Sequence, residues 1–202
     1  MIKNIVFDMG NVLIHYDPMK VCRKFITGEE ERKKVCASVF SSLEWLLLDK
    51  GTISEEDALK KMQERLDTEE EKEQAALCLK HWHEYNMWPA EGMEELVGEL
   101  KDRGFCLYLC SNASLRLLDC WQIIPGIHQF DGRLFSAEVL CMKPEKEMYE
   151  NLFKRFHLNP EECFFIDDLE QNIQGGKACG MDGYVYDGDL KKLRERLLTL
   201  ND

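Results

Sequence analysis

Short apolar runs that end in polar residues recur along the chain and predict the strands of a parallel sheet. The four runs cover residues 2–7, 105–110, 163–166 and 183–186. They are rich in β-branched, aromatic and aliphatic residues, as expected for strands that are buried on both faces. Helical patterns accompany the later runs, at residues 91–103, 145–156 and 171–179. Strands that alternate with helices indicate an α/β core with a doubly wound, Rossmann-like parallel sheet.

The stretch between the first two runs does not follow this alternation. From His15 to Trp88 no strand pattern is present, and residues 49–52 have the composition of a turn between helices. The helical patterns in this stretch lie at residues 18–26, 29–41, 54–66 and 69–85. So long a segment does not fit a single crossover connection. We expect a small helical-bundle cap domain at residues 16–87, inserted into a core formed by residues 1–15 and 88–202.

The charge balance argues against two classes of partner. The 202 residues include 26 Lys and Arg against 38 Asp and Glu, which gives a formal net charge of −12. A nucleic-acid binder needs a basic face, and an anionic membrane surface also attracts basic proteins. No apolar run is long enough to span a bilayer, and residues 1–13 do not resemble a secretory signal. We therefore expect neither nucleic acid nor membrane as a partner.

The cysteine pattern favours reduced thiols. There are nine cysteines, no pair has CxxC spacing, and several lie inside apolar runs such as residues 105–110. These features are typical of buried thiols that pack as small hydrophobic side chains. They argue against a zinc site or a disulfide framework and predict a cytoplasmic protein.

Polar residues follow the predicted strands at the edge where an open parallel sheet binds its ligands. They are Asp8 after the first strand, Ser111 and Asn112 after the second, and Asp167 and Asp168 after the third. Clustered carboxylates repel one another unless a cation lies between them. Mg²⁺ prefers such oxygen ligands and keeps positions for phosphate, and Lys143 and Ser111 are suited to hold other phosphate oxygens. The pattern therefore predicts a site for Mg²⁺ and a phosphorylated substrate.

Four motifs resemble those of the haloacid dehalogenase superfamily of phosphohydrolases. Residues 7–13 (FDMGNVL) look like its first motif, residues 109–112 (LCSN) like its second, Lys143-Pro144 like its third, and residues 165–168 (FIDD) with Asn172 like its fourth. The motifs occur in order and together cover nearly the whole chain. The helical insertion resembles the family's C1-type helical cap. The FDxGNV form, the GTISEE segment at 51–56 and the length are similar to the bacterial branch that includes α-D-glucose-1-phosphate phosphatase.

The resemblance implies a mechanism and a role for each matching residue. Asp8 would attack phosphorus and form an aspartyl-phosphate, with Lys143 and Ser111 as further catalytic residues. The implied Mg²⁺ ligands are Asp8, the Gly10 carbonyl, Asp167 and Asp168. The implied phosphate-binding residues are Ser111, Asn112 and Lys143. The substrate would be a small phosphorylated metabolite, with a sugar phosphate such as glucose 1-phosphate as the leading candidate.

One position departs from the family pattern. Most phosphatases of the superfamily carry a second aspartate two residues after the nucleophile, as the acid and base of the reaction. This chain has Gly10 there. A positioned acid or base contributes roughly 10²–10⁴-fold to the rate. Our sequence-based hypothesis is that Asp17 or His15, which follow closely, replaces it.

Two other functions stay open at this point. A hydrolytic 2-haloacid dehalogenase would use Asp8 on carbon without a metal, although the Asp167-Asp168 pair favours a metal and hence phosphate. A catalytically weak phosphoryl-binding protein is the other, because Gly10 lacks the acid and base. A phosphomutase is also possible, although with Gly10 the acid and base needed to move phosphate between hydroxyls is not evident.

Overall fold

A five-stranded parallel sheet forms the centre of the protein, whose computed structural model describes residues 1–201. Numbered in chain order, its strands are β1 (Asn4–Phe7), β4 (Cys106–Ser111), β5 (Gly132–Phe135), β6 (Cys163–Asp167) and β7 (Asp182–Val185). Their order across the sheet is β5-β4-β1-β6-β7, and every pair is parallel. The doubly wound, Rossmann-like α/β core predicted from the sequence is confirmed.

The register of β1 brings the site residues to one level. Phe7, the last residue of β1, is paired with Leu109 of β4 and Ile166 of β6. The Asp8 backbone N–H continues this ladder by donating to the Ile166 carbonyl, at 2.8 Å. Asp8 and Asp167 therefore leave neighbouring strands side by side at the carboxyl edge of the sheet.

Helices cover both faces of the sheet. They are α6 (Met93–Asp102), α7 (Lys146–Phe156), α8 (Glu170–Ala178) and α9 (Leu190–Leu198). Side chains alternate along a strand, so Phe7 packs in one buried cluster and Val6 in the other. Buried residues of α6 and α9 join the Phe7 cluster, and those of α7 and α8 join the Val6 cluster.

Five helices lie between the two strands of a short antiparallel ribbon. The ribbon pairs β2 (Ile14–Tyr16) with β3 (Met87–Pro89). The helices are α1 (Met19–Phe25), α2 (Glu29–Phe40), α3 (Leu43–Lys50), α4 (Glu55–Gln63) and α5 (Glu69–Tyr85). The ribbon spans both of the expected domain boundaries, and the division at residues 16 and 87 stays a prediction. We call the segment from α1 to α5 the helical insertion.

The structure corrects the expectation that no strand lies between His15 and Trp88. His15 belongs to β2 and Trp88 to β3, and three-residue strands are too short to show a period of two. The pattern also did not predict α3, α9 or β5. Apolar Leu43 and Leu46 on α3 are 63% and 53% exposed. The exposed side of this helix is therefore apolar as well, and the sequence does not show the alternation of apolar and polar positions that indicates a helix. The turn predicted at residues 49–52 begins later, because Asp49 and Lys50 complete α3.

The thiols agree with the sequence-based expectation of reduced cysteines. All nine cysteines are free and six of them are buried. Within residues 1–201, no helix combines the length and the apolar character that crossing a membrane requires.

Candidate active site

A cavity of about 220 Å³ opens at the carboxyl edge of the sheet. The core supplies one wall, with Asp8, Gly10, Ser111, Asn112, Lys143 and Asn172. The ribbon and the helical insertion supply the facing wall, with Ile14, Tyr16, Trp45, Asp49, Trp82 and Met87. The first wall carries most of the charge, and the second is mainly aromatic and aliphatic.

The Lys143 ammonium is the electrostatic centre of the core wall. It lies 2.8 Å from Asp8 Oδ1 and 2.7 Å from Asp167 Oδ2, and it donates to the Cys110 carbonyl at 2.9 Å. All three ammonium protons therefore have acceptors. The Lys143 and Asp167 side chains are at most 1% exposed, so this ion cluster is shielded from water.

Burial and the opposed charges set the ionisation of this cluster. Burial lowers the pKa of Lys143, but Asp8 and Asp167 raise it by more, so the lysine stays charged. Burial raises the pKa of Asp8 to about 6, although Lys143 lowers it, and the neighbouring Asp167 adds to the rise. One lysine thus does not balance the negative charge that the site gathers.

Asp167 is held in place from two sides. Its Oδ1 accepts from the Leu169 backbone N–H and from Asn172 Nδ2, both at 2.9 Å. Asn172 Nδ2 also lies 3.1 Å from Asp167 Oδ2. Asn172 stands on α8, one turn from the end of β6, so the turn between them fixes the carboxylate.

A third carboxylate completes an oxygen-rich group. Oxygens of Asp8, Asp167 and Asp168 all lie within 4.8 Å of one another. Asp168 accepts from Asn11 Nδ2 at 3.1 Å, which ties it to the loop after β1. Asn172 Oδ1 is buried and has no hydrogen-bond partner among residues 1–201. Three carboxylates this close together form a donor set suited to a hard divalent cation.

Ser111 and Asn112 lie beside the Lys143 end of the cavity. Ser111 ends β4, is 2% exposed and lines the cavity. The Asn112 side chain accepts from the Lys143 backbone N–H at 2.8 Å and donates to the Lys143 carbonyl at 2.9 Å. The amide of Asn112 therefore positions the lysine, and its predicted contact with phosphate stays a prediction.

A family model of haloacid dehalogenase-like hydrolases matches residues 2–180. The chain belongs to this family. The match spans β1 to β6, the helical insertion and all the candidate site residues, so the family assignment predicted from the motifs is confirmed. The narrower resemblance to the branch with α-D-glucose-1-phosphate phosphatase stays a prediction.

Relatives of this haloacid dehalogenase-like hydrolase carry phosphatase names. A D-ribitol-5-phosphate phosphatase of Bacteroides thetaiotaomicron is 26% identical, with 100% of both chains covered. A sesquiterpene phosphatase of Aspergillus oryzae is also 26% identical, over 90% of this chain and 88% of the relative. A family enzyme of Bacteroides thetaiotaomicron, solved with magnesium and inorganic phosphate, shares the fold with a TM-score of 0.74 at 23% identity, over 96% of this chain and 99% of that one.

The geometry does not support the substitutes proposed for the family's second aspartate. His15 faces away from the cavity, because alternation along β2 directs Ile14 and Tyr16 into it, and the His15 ring instead lies 5.4 Å from that of Trp88. Asp17 accepts from the Met19 backbone N–H and pairs with Arg23. Neither lines the cavity, so the hypothesis based on closeness in the chain is wrong in its geometry.

Several lining residues of this hydrolase were missed by the sequence reasoning. They are Tyr16, Trp82, Met87 and Leu117. All but Leu117 belong to the ribbon or the helical insertion, where no strand end indicates which side chains meet. Asp49 comes two residues before Gly51, which ends α3 with a φ of +76°, so the turn after the helix sets its position.

Proposed function

We propose that this hydrolase is a Mg²⁺-dependent phosphatase that cleaves a small phosphorylated metabolite through an aspartyl-phosphate on Asp8. The observation that carries the proposal is the position of Asp8, between the Lys143 ammonium at 2.8 Å and the carboxylates of Asp167 and Asp168. The phosphatase names of the relatives and the magnesium and phosphate of the related structure support it.

Asp8 is the nucleophile of the first step. Its carboxylate oxygen forms a bond to phosphorus while the bond from phosphorus to the alcohol oxygen breaks. Lys143 holds Asp8 in orientation, and Ser111 lies where its hydroxyl can donate to a phosphoryl oxygen. In the second step a water oxygen bonds to phosphorus, the bond to Asp8 breaks, and the carboxylate is restored.

Asp8, the Gly10 carbonyl, Asp167 and Asp168 would hold the magnesium ion. When bound there, Mg²⁺ supplies positive charge that offsets the repulsion between the carboxylates and a phosphoryl group. Asn172 keeps Asp167 oriented toward this position through its two hydrogen bonds.

The wall that faces the alcohol half of the substrate bears on the substrate class. A sugar phosphate was predicted from the sequence, and sugar hydroxyls need polar partners when buried. The facing wall offers mainly Trp45, Trp82, Met87 and Ile14, with Tyr16 and Asp49 as its polar groups. We propose that the substrate is the phosphate ester of a compact alcohol with an apolar face and few buried hydroxyls. A sugar that stacks on the tryptophans belongs to this class.

The alternatives are less well supported by the site. A dehalogenase acting on carbon has no use for three carboxylates within 4.8 Å of one another. A phosphoryl-binding protein without turnover remains the second candidate, favoured by the missing side chain at Gly10. The experiment below separates the two.

The test is a panel of phosphate monoesters, assayed with and without Mg²⁺, on the wild type and on Asp8→Asn. We expect Mg²⁺-dependent phosphate release that falls by at least about 10³-fold in Asp8→Asn, since the nucleophile is lost. Acid quenching should trap a phosphoenzyme in the wild type and none in the variant. A phosphoenzyme that forms but does not turn over would favour the binding protein. Metal-independent release of halide from 2-haloacids would favour the dehalogenase.

A further inference from the structure

The proposed first step releases an alkoxide, which needs a proton, and the usual source is missing. Gly10 occupies that position and no atom lies within 4 Å of where its Cβ would stand. The space that a side chain would use is therefore open. Lys143 cannot serve, because its three protons are already bonded to Asp8, Asp167 and the Cys110 carbonyl.

Asp49 is a carboxyl group in the facing wall of the same cavity. It lies in the last turn of α3, and the Ser114 backbone N–H, three residues after Ser111, lies near enough to its carboxyl to lower the pKa. The loop that carries the candidate phosphate-binding serine therefore also runs beside the Asp49 carboxyl. Asp49 and Asp8 both line the cavity, so a phosphate ester bound there is accessible to both carboxyl groups.

The end of α3 is docked on the core, which fixes this carboxyl in place. The Ser136 hydroxyl donates to the Asp49 carbonyl and also accepts from the Ala113 N–H, the latter at 2.8 Å. At Gly51 a Cβ would stand 2.6 Å from the Ala137 carbonyl oxygen, so the turn after α3 lies directly against the core backbone.

The electrostatic surroundings keep Asp49 ready to carry a proton. Among residues 1–201, no lysine, arginine or histidine lies within 4.0 Å of its carboxylate, whereas its neighbour Lys50 pairs with Glu145. Burial raises the pKa of Asp49 to about 7, opposed only by the Ser114 N–H. The other ionisable groups lining the cavity are Tyr16, which burial keeps neutral, and the Lys143–Asp8 pair. Both protonation states are accessible near neutral pH.

We propose that Asp49 replaces the missing aspartate as the acid and base of the reaction, an inference that rests on the proposed phosphatase function. In the first step the Asp49 carboxyl gives its proton to the alcohol oxygen as that oxygen leaves phosphorus. In the second step the Asp49 carboxylate takes a proton from the attacking water as phosphorus leaves Asp8. The two transfers return both carboxyl groups to their starting states, and no further reactant is required.

The test compares Asp49→Asn with the wild type on two esters. Asparagine keeps the shape and one side-chain oxygen near the Ser114 N–H, and thermal melting checks that the variant folds. An alkyl phosphate has a poor leaving group and needs the proton, while 4-nitrophenyl phosphate does not. We expect kcat/KM for the alkyl ester to fall by roughly 10²–10⁴-fold. With 4-nitrophenyl phosphate the burst of nitrophenol should remain, and phosphoenzyme should accumulate because its hydrolysis lacks a base.

A pH profile and two further variants distinguish a role of Asp49 in proton transfer from a role in anchoring α3 on the core. In the wild type, kcat/KM for the alkyl ester should decline above about pH 7, and Asp49→Asn should lose this limb. Adding Gly10→Asp to Asp49→Asn should restore much of the alkyl-ester activity, since the space at Gly10 is open. Ser136→Ala, which loosens an anchor of α3 and leaves the carboxyl, should lower the alkyl-ester rate by much less than Asp49→Asn does and should keep the limb.

The outcomes that overturn the inference differ from those that overturn the proposed function. Equal losses on the two esters with the limb retained would show that Asp49 only anchors α3. Unchanged rates on both would remove it from the reaction altogether. Failure of the phosphatase proposal would instead appear as no phosphoenzyme in the wild type.

Discussion

The Lys143 ammonium and the Asp167 carboxylate form an ion pair of 2.7 Å that is almost completely closed to solvent. The same ammonium pairs with Asp8 at 2.8 Å, so one positive charge faces two negative ones. Removing one partner of a buried pair leaves an uncompensated charge and is strongly destabilising. A second cation should therefore bind favourably beside these carboxylates, and its binding should change their ionisation.

Magnesium should stabilise the protein more at pH 7.5 than at pH 5. The pKa of Asp8 is raised by burial from its ordinary 3.8 to about 6, so the folded state binds this proton more tightly than the unfolded chain does. Protonation of Asp8 therefore stabilises the folded state fully at acid pH, and this contribution is lost as the pH rises through about 6. Magnesium needs the ionised carboxylate and competes with the proton. Thermal melts with and without Mg²⁺ at the two pH values measure the effect.

The matched control for this linkage is Asp8→Asn, which cannot titrate. Its Mg²⁺-induced change in Tm should be smaller and nearly equal at the two pH values. An Mg²⁺ effect in the wild type that is the same at pH 5 and pH 7.5 would contradict the linkage.

Asn172→Ala should weaken magnesium binding by roughly 10–100-fold, the usual cost of losing a group that orients a ligand. The substitution removes the bonds of 2.9 and 3.1 Å to the two oxygens of Asp167, together with the unpartnered Oδ1. The Mg²⁺ dependence of activity and calorimetric titration measure it. Asn151→Ala is the control, because the Asn151 amide contacts only Cys141 Sγ at 3.6 Å and does not line the cavity. Unchanged affinity in Asn172→Ala would count against the predicted ligand set.

Trp45→Leu should raise KM by about tenfold, or 1.4 kcal/mol, for esters with bulky alcohols. The Trp45 ring lies 5.2 Å from that of Trp82 at 81°, and both line the wall that faces the alcohol. Inhibition by inorganic phosphate should not change, since phosphate does not reach this wall. Trp121→Leu is the control, because Trp121 stacks on Arg133 away from the cavity. A parallel loss of phosphate inhibition would show that Trp45 supports the fold of the site instead.

Gly51→Ala should destabilise the protein more than Gly104→Ala does. Both glycines have a positive φ, +76° and +87°, so alanine is strained at either by about 1–2 kcal/mol. At Gly51 the new Cβ would also meet the Ala137 carbonyl oxygen at 2.6 Å, whereas at Gly104 nothing lies within 4 Å. Displacing α3 adds about 1–3 kcal/mol of overpacking and moves Asp49. Denaturant unfolding gives the difference, and equal losses would show that the docking of α3 is loose.

The core half of the site could be predicted because strand ends are visible in a sequence. Asp8, Ser111 and Asp167 each follow an apolar run, and parallel strands bring such positions to one edge. Lys143 follows no strand and was found through its motif. Its position became certain only with the ion pairs to Asp8 and Asp167.

The contacts of the facing half could not be predicted from the sequence, for a physical reason. Trp45 and Asp49 reach the cavity because α3 docks on the core through Ser136 and Ala137, which are almost ninety residues away in the chain. Such a contact depends on how the helical insertion packs on the core, and it leaves no periodic pattern of apolar residues in the nearby sequence. His15 and Asp17 were chosen for closeness in the chain, but the alternation of β2 directs their neighbour Tyr16 into the cavity.

The β2–β3 ribbon places the entry and the exit of the helical insertion side by side, with His15 paired to Trp88. The five-stranded sheet is complete without any residue between them. A different insertion could therefore replace residues between β2 and β3 while Asp8 keeps its place at the end of β1. Substrate range could then diversify by exchange of the insertion, provided that each new insertion again supplies an acid and base in the place of Asp49.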